Sequence, residues 1–82
     1  MIDYASKLQQ MQCEINTLQN EISILRHEHE HNCDLYLEGY AGGSKFERYQ
    51  NKLQREAEKR ATRISRLESQ MWKIQQRMAN KC

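Results

Sequence analysis

The residues of this 82-residue chain best suited to chemistry cluster in one run, His27-Glu-His-Glu-His31, with Cys33 two positions further on. On a helix His27 and His31 stand one turn apart on one face, the spacing with which two imidazoles hold one metal ion. That spacing supplies no third ligand, because His29 falls on the face a coiled coil buries and Cys33 falls on a different flank. No metal site is therefore expected. Cys13, Cys33 and Cys82 form an odd set with no Cys-x-x-Cys spacing, a pattern of reduced thiols rather than of a disulfide framework. No Ser/His/Asp or Cys/His constellation, phosphate-cradling glycine loop or carboxylate pair in a cleft is recognisable. The expectation is a protein that is not an enzyme, with no cofactor and no small-molecule substrate.

Charge is the other chemical resource, and it is unevenly placed. Residues 1–40 hold two basic and seven acidic side chains, and residues 41–82 hold eleven and four, so the formal net charge of +2 conceals halves of −5 and +7. Lys45, Lys52, Lys59, Arg66 and Lys73 recur every seven residues, which draws a basic column along a helix, with Arg48 and Arg55 beside it. Lys45, Lys52, Arg55, Lys59, Arg66 and Lys73 are candidate phosphate contacts. Stacking aromatics are not interleaved with them, which makes nucleic acid the alternative partner and protein the first choice.

These residues must be positioned by helices. The chain has no proline, three glycines, 29% charged residues and a mean hydropathy of −1.03, values that suit long solvated helices. Apolar residues repeat in alternating steps of four and three: Tyr4, Leu8, Met11, Ile15, Leu18, Ile22 and Leu25, continuing through His29 and Asn32 to Tyr36. A second series runs Phe46, Gln50, Leu53, Ala57, Arg60, Ile64, Leu67, Met71, Ile74 and Met78. Both are heptad patterns, with core positions a and d. Between them, Gly39 is suited to the left-handed conformation that ends a helix, and Ser44 with Glu47 three residues on has the form of a capping box. The reading is all-α, one domain over 1–82: helix 1 over about 3–38, a turn at 39–44, and helix 2 over about 45–81.

Folding back about that turn opposes residues whose numbers sum to 82. Leu8 then faces Ile74, Met11 Met71, Ile15 Leu67, Leu18 Ile64, Leu25 Ala57 and Tyr36 Phe46. Asn32 meets Gln50, so two polar residues share one layer and fix the register. Arg60 opposite Ile22 must send its guanidinium outward along its stem, and Glu21 is expected to meet Arg63, while Glu28 is expected to repel Glu56. This pattern defines an antiparallel two-helix coiled-coil hairpin.

The two flanks of the seam differ in composition. Fourteen charged residues line the flank of g and c positions, whereas the e and b flank carries five: Arg26, Glu30, Glu47, Glu58 and Glu68. Gln12, Gln19, Ala61, Ser65, Trp72 and Gln75 lie on that low-charge flank and read as a partner-binding surface, because interfaces are poor in charge and rich in Trp. Its occupant is expected to be a protein helix or a second hairpin, the latter giving a four-helix bundle. A second contact point is expected at the tip, where Tyr36, Phe46 and Tyr49 have structural work and Tyr40, with Asp34 and Glu38 beside it, has none. A protruding hairpin with acids near its tip resembles in outline the coiled-coil arm of transcript-cleavage factors, whose acids are set at a tighter spacing. The resemblance is one of shape, and no family follows from it. With no run of about 18 apolar residues and no basic-then-apolar leader, the expected location is cytoplasmic, away from membranes. The expected function is an adaptor, chaperone or inhibitor acting through helix faces and the tip.

Overall fold

The computed structural model describes residues 3–80, and Cys82 and the last residue assigned to helix 2 lie outside them. The described residues form two helices, α1 (Tyr4–Leu37, 34 residues) and α2 (Ser44–Asn80, 37 residues), packed antiparallel in a rod of 62 × 17 × 15 Å. Asp3 starts α1. Its carboxylate accepts from the backbone N–H groups of Ala5 and Ser6 at 3.1 and 3.3 Å and from the Ser6 hydroxyl at 2.8 Å. These bonds favour the charged form, the Ser6 hydroxyl most, and hold the Asp3 carboxyl below its ordinary pKa.

The end of α1 is set by glycine. Gly39 has φ +84°, its N–H donates to the Tyr36 carbonyl at 3.1 Å, and the Tyr40 N–H donates to the Leu35 carbonyl at 2.9 Å. These are the paired bonds of a Schellman cap, which satisfy two of the carbonyls a helix end leaves open. The start of α2 corrects the expected capping box. Ser44 is already the first helical residue, and the Glu47 N–H donates to the carbonyl of Gly43 at 3.0 Å. Gly43, at φ +99°, is the residue that reverses the chain.

The seam holds the predicted register. Ile15, Ile22, Ala57, Ile64 and Leu67 form a buried cluster, with Met11, Leu18, Leu25, Ala61 and Met71 partly buried against it. Leu53 and Ile74 are buried on either side of that cluster. Tyr36 and Phe46 close the tip as stacked rings, centroids 6.0 Å apart and planes 9° from parallel. The Asn32 amide donates to Gln50 Oε1 at 2.9 Å, and Gln50, 8% exposed, donates in turn to the His29 carbonyl at 3.1 Å. The polar layer is thus internally satisfied, and no buried side-chain polar atom among the described residues is left without a partner.

Candidate interaction surface

The polar contacts between the helices, the Asn32–Gln50 layer aside, lie on the g and c side of the seam. Arg60 turns out of the core along its aliphatic stem, as a basic residue at a core position must. Its Nε reaches Glu21 at 3.0 Å and its Nη1 reaches Glu56 at 2.9 Å, while Arg63 Nε reaches Glu14 at 3.0 Å. The expected Glu21–Arg63 pair is therefore replaced by Glu21–Arg60 and Glu14–Arg63. Arg60 takes Glu21 at its own level, and the long stem of Arg63 lets its guanidinium reach Glu14, an acid offset along the rod. The expected Glu28–Glu56 repulsion is also relieved, since Glu56 is held by Arg60 and Lys59, and Glu28 accepts from the Tyr49 hydroxyl. Arg60 keeps the Glu56 carboxyl below its ordinary pKa, with Lys59 adding to the effect, and Glu28 raises the Tyr49 phenol. Tyr49 therefore latches α2 to α1 rather than capping the tip.

Apart from a weak contact of the Gln50 amide with Cys33 Sγ at 3.5 Å, the e and b side carries no ion pair between the helices among the described residues. It is occupied instead by two adjoining grooves that share His29. One, about 320 Å³, runs between Leu25 and Ala57 and is bounded by Arg26, Glu30, Glu58 and Ala61. The other, about 600 Å³, runs from Cys33 to the tip along Tyr36, Leu37, Phe46 and Gln50. The first groove exists because Ala57 and Ala61 are too small to fill the space beside Leu25. Leu37 is 80% exposed and Tyr36 56% exposed, so the apolar lining reaches the surface at the tip.

The residues assigned to this flank from the sequence separate into two stretches. Ala61 lies on the groove, whereas Gln12, Gln19, Ser65, Trp72 and Gln75 lie beyond it toward the termini and are exposed. Gln12 is tied to Asn16 on its own helix by a 3.0 Å side-chain bond. Trp72, at 61% exposed, is the one large aromatic there. Sequence reasoning placed Leu25 and His29 in the seam and so did not assign them to the surface. The signal available was the pair of alanines at Ala57 and Ala61, which leaves the facing side chains uncovered.

Cys33 meets the seam residue His29 at the groove wall: its Sγ lies 3.7 Å from His29 Nδ1 and receives the Gln50 amide at 3.5 Å. Positions a and e are neighbours one helical turn apart, and a letter-by-letter division separates what the helix joins. Among the described residues no group of three or more His, Cys, Asp or Glu converges as a metal-binding set.

At the tip, Tyr40 closes the cap through its backbone, yet its ring is 80% exposed, with Asp34 and Glu38 exposed nearby. Gly42 lies against the Tyr36 ring, where a Cβ would sit 3.6 Å from two ring carbons. Lys45, Lys52, Lys59, Arg66 and Lys73 are exposed along α2, and of these Lys59 is paired, to Glu56 at 3.6 Å. Arg48, Lys52, Arg55 and Lys59 border a shallow depression of about 230 Å³ that also contains Glu56. No helix among the described residues is long and apolar enough to cross a membrane. Compared with family models, curated proteins and solved structures, the chain matches none of them significantly.

Proposed function

We propose that this chain is a protein–protein interaction module, an adaptor, chaperone or inhibitor, that docks a helical partner on the e and b flank of its hairpin. The observation that carries this reading is the asymmetry of the seam: Arg60, Arg63 and Tyr49 close one side, while the other, with fewer charges, keeps two grooves with apolar linings and an exposed Trp72. Apolar grooves of this kind take the apolar face of an amphipathic helix. The tip, led by Tyr40 with Asp34 and Glu38, is a second contact point in the same reading. The cationic depression around Lys52 and Arg55 supports a competing reading, nucleic-acid binding through Lys45, Lys52, Arg55, Lys59, Arg66 and Lys73.

The two separate in one experiment. The immobilised chain is exposed to extract of its native host, alongside Trp72→Glu and a Lys52→Glu/Arg55→Glu double variant. Protein retained by the wild type and by the column variant, lost with Trp72→Glu and little changed by salt, is the expected result. Retention that follows the column variant, falls steeply with rising salt and disappears after nuclease treatment would overturn it.

A further inference from the structure

Resting on that reading of the flank, we infer that the occupant is a second copy of this chain, packed face to face and antiparallel so that Trp72 of each copy enters the tip groove of the other. The rod is 62 Å long and 17 Å wide, so one of its long sides is large enough to bury on the order of the 800 Å² per partner that a stable dimer needs. Its two ends are complementary in shape. The groove lies toward the tip, walled by Tyr36, Leu37, Phe46 and Gln50, and the protruding indole lies toward the termini.

A two-fold axis through the middle of the rod, near Ala61, pairs α2 with α2 and α1 with α1. In such a dimer, facing residues of α2 have numbers summing to about 122, and those of α1 to about 42, because the two helices are already in register at 82. Trp72 then stands level with Gln50 and Asn51, on the α2 wall of the second copy's groove. Ala61 meets its own counterpart at the axis, where a small side chain permits close approach.

The same arithmetic disposes of the charges. Arg26 comes level with Asn16 of the second copy, Glu30 with Gln12, Glu47 with Gln75, Glu58 with Ser65 and Glu68 with Gln54. Every ionised group of the flank thus finds an uncharged hydrogen-bonding partner across the interface. Parallel hairpins would gain an Arg26–Glu58 approach but would set groove against groove, unfilled, and Trp72 against Gln9 and Gln12. Each flank carries one arginine and four glutamates, so two of them repel at long range, and salt must tighten the dimer. Binding through phosphates has the opposite salt dependence.

The test uses the full wild-type chain in sedimentation equilibrium from micromolar to several hundred micromolar. The expected result is a monomer–dimer equilibrium that tightens a few-fold between about 0.05 and 0.5 M salt. A blue shift of Trp72 emission should accompany the dimer, and Trp72→Ala should weaken it at least tenfold at unchanged helicity. Orientation is read by placing p-benzoylphenylalanine at Ser65, mixing ¹⁴N and ¹⁵N chains, and mapping cross-links between isotopically distinct copies. Adducts near residue 57 of α2 support the antiparallel arrangement, and adducts near residue 17 of α1 would overturn it. A chain that stays monomeric throughout would exclude the second copy as occupant. So would a monomer whose Trp72 emission responds instead to a synthetic Leu/Lys amphipathic helix. Either result leaves the flank reading to the host-extract experiment.

Discussion

Replacing Asn32 with alanine tests whether the polar layer is a matched pair or two independent residues. In the wild type Asn32 donates to Gln50 Oε1 at 2.9 Å, and Gln50 is 8% exposed. Asn32→Ala leaves that oxygen in a nearly closed layer without a partner, which costs about 1–3 kcal/mol, the usual penalty for a stranded buried acceptor. Gln50→Ala removes the acceptor instead. Asn32 is only half-buried and turns to water, so the loss there is chiefly the cavity. Removing both costs less than the sum, because the second change no longer breaks anything the first left intact. The expected coupling is about 1–2 kcal/mol in a double-mutant cycle. Replacing both with leucine fills the layer with apolar volume and should meet or exceed wild-type stability.

The assay is urea denaturation followed by helical circular dichroism, performed at low micromolar concentration. For a chain this short each kcal/mol moves the melting temperature by roughly 4–8 °C, so the Asn32→Ala change is easily measured. Single variants whose effects simply add would refute the reasoning. Additivity would mean that the amide contact is incidental, and a Leu/Leu chain no more stable than Asn32→Ala would mean that the loss does not come from the stranded acceptor.

Three further outcomes follow from the geometry. Gly39→Ala should lose about 1–2 kcal/mol in the same assay, because φ +84° penalises a Cβ although no atom crowds the site. Tyr40→Ala should change stability by less than about 0.5 kcal/mol, as its ring is 80% exposed, while weakening partner binding at least tenfold. A clear loss of stability at unchanged binding would assign that ring to the cap. The pH dependence has two limbs. Depressed carboxyls at Asp3 and Glu56 stabilise the fold above the ordinary carboxylate range and lose that contribution as pH falls through their folded values. The raised phenol of Tyr49 contributes below its ordinary value and loses its bond as pH rises through the folded one. Urea midpoints should fall on both sides, with Glu56→Gln making the acid limb shallower and Tyr49→Phe the alkaline limb.

The seam was legible in the sequence because burial has a period, and Tyr36 with Phe46 and Asn32 with Gln50 both fall where a sum of 82 puts them. The turn was legible at Gly39, since a left-handed residue has few alternatives. At Ser44 it was not, because the capping box and a first-turn serine share one pattern and only the backbone decides between them. Ion pairs were misassigned for a related reason: Arg60 and Arg63 have reach enough to choose among several acids. The grooves escaped notice because they are spaces, defined by what Ala57 and Ala61 fail to fill rather than by any residue that announces itself.

The two flanks also constrain each other. Among the described residues seven apolar side chains are buried in the seam, a thin core for a rod of this length, so any association that covered more apolar surface would add stability the hairpin does not supply alone. In the proposed reading such association favours one side, although Ile24, 67% exposed, borders a further depression beside His27 and His31 on α1. On the g and c side the guanidiniums and the Tyr49 hydroxyl span the seam, and a docking helix would have to strip them of water and of their acids at a cost of several kcal/mol. On the e and b side it displaces water from Leu25, Leu37 and the indole of Trp72, which is favourable at about 25 cal/mol per Å². In the proposed reading, the charges on one face direct a partner to the other. Reversing Arg60 and Glu21 together should leave the docking face unchanged, whereas Trp72→Glu, at a position 61% exposed, should abolish docking while leaving the hairpin folded.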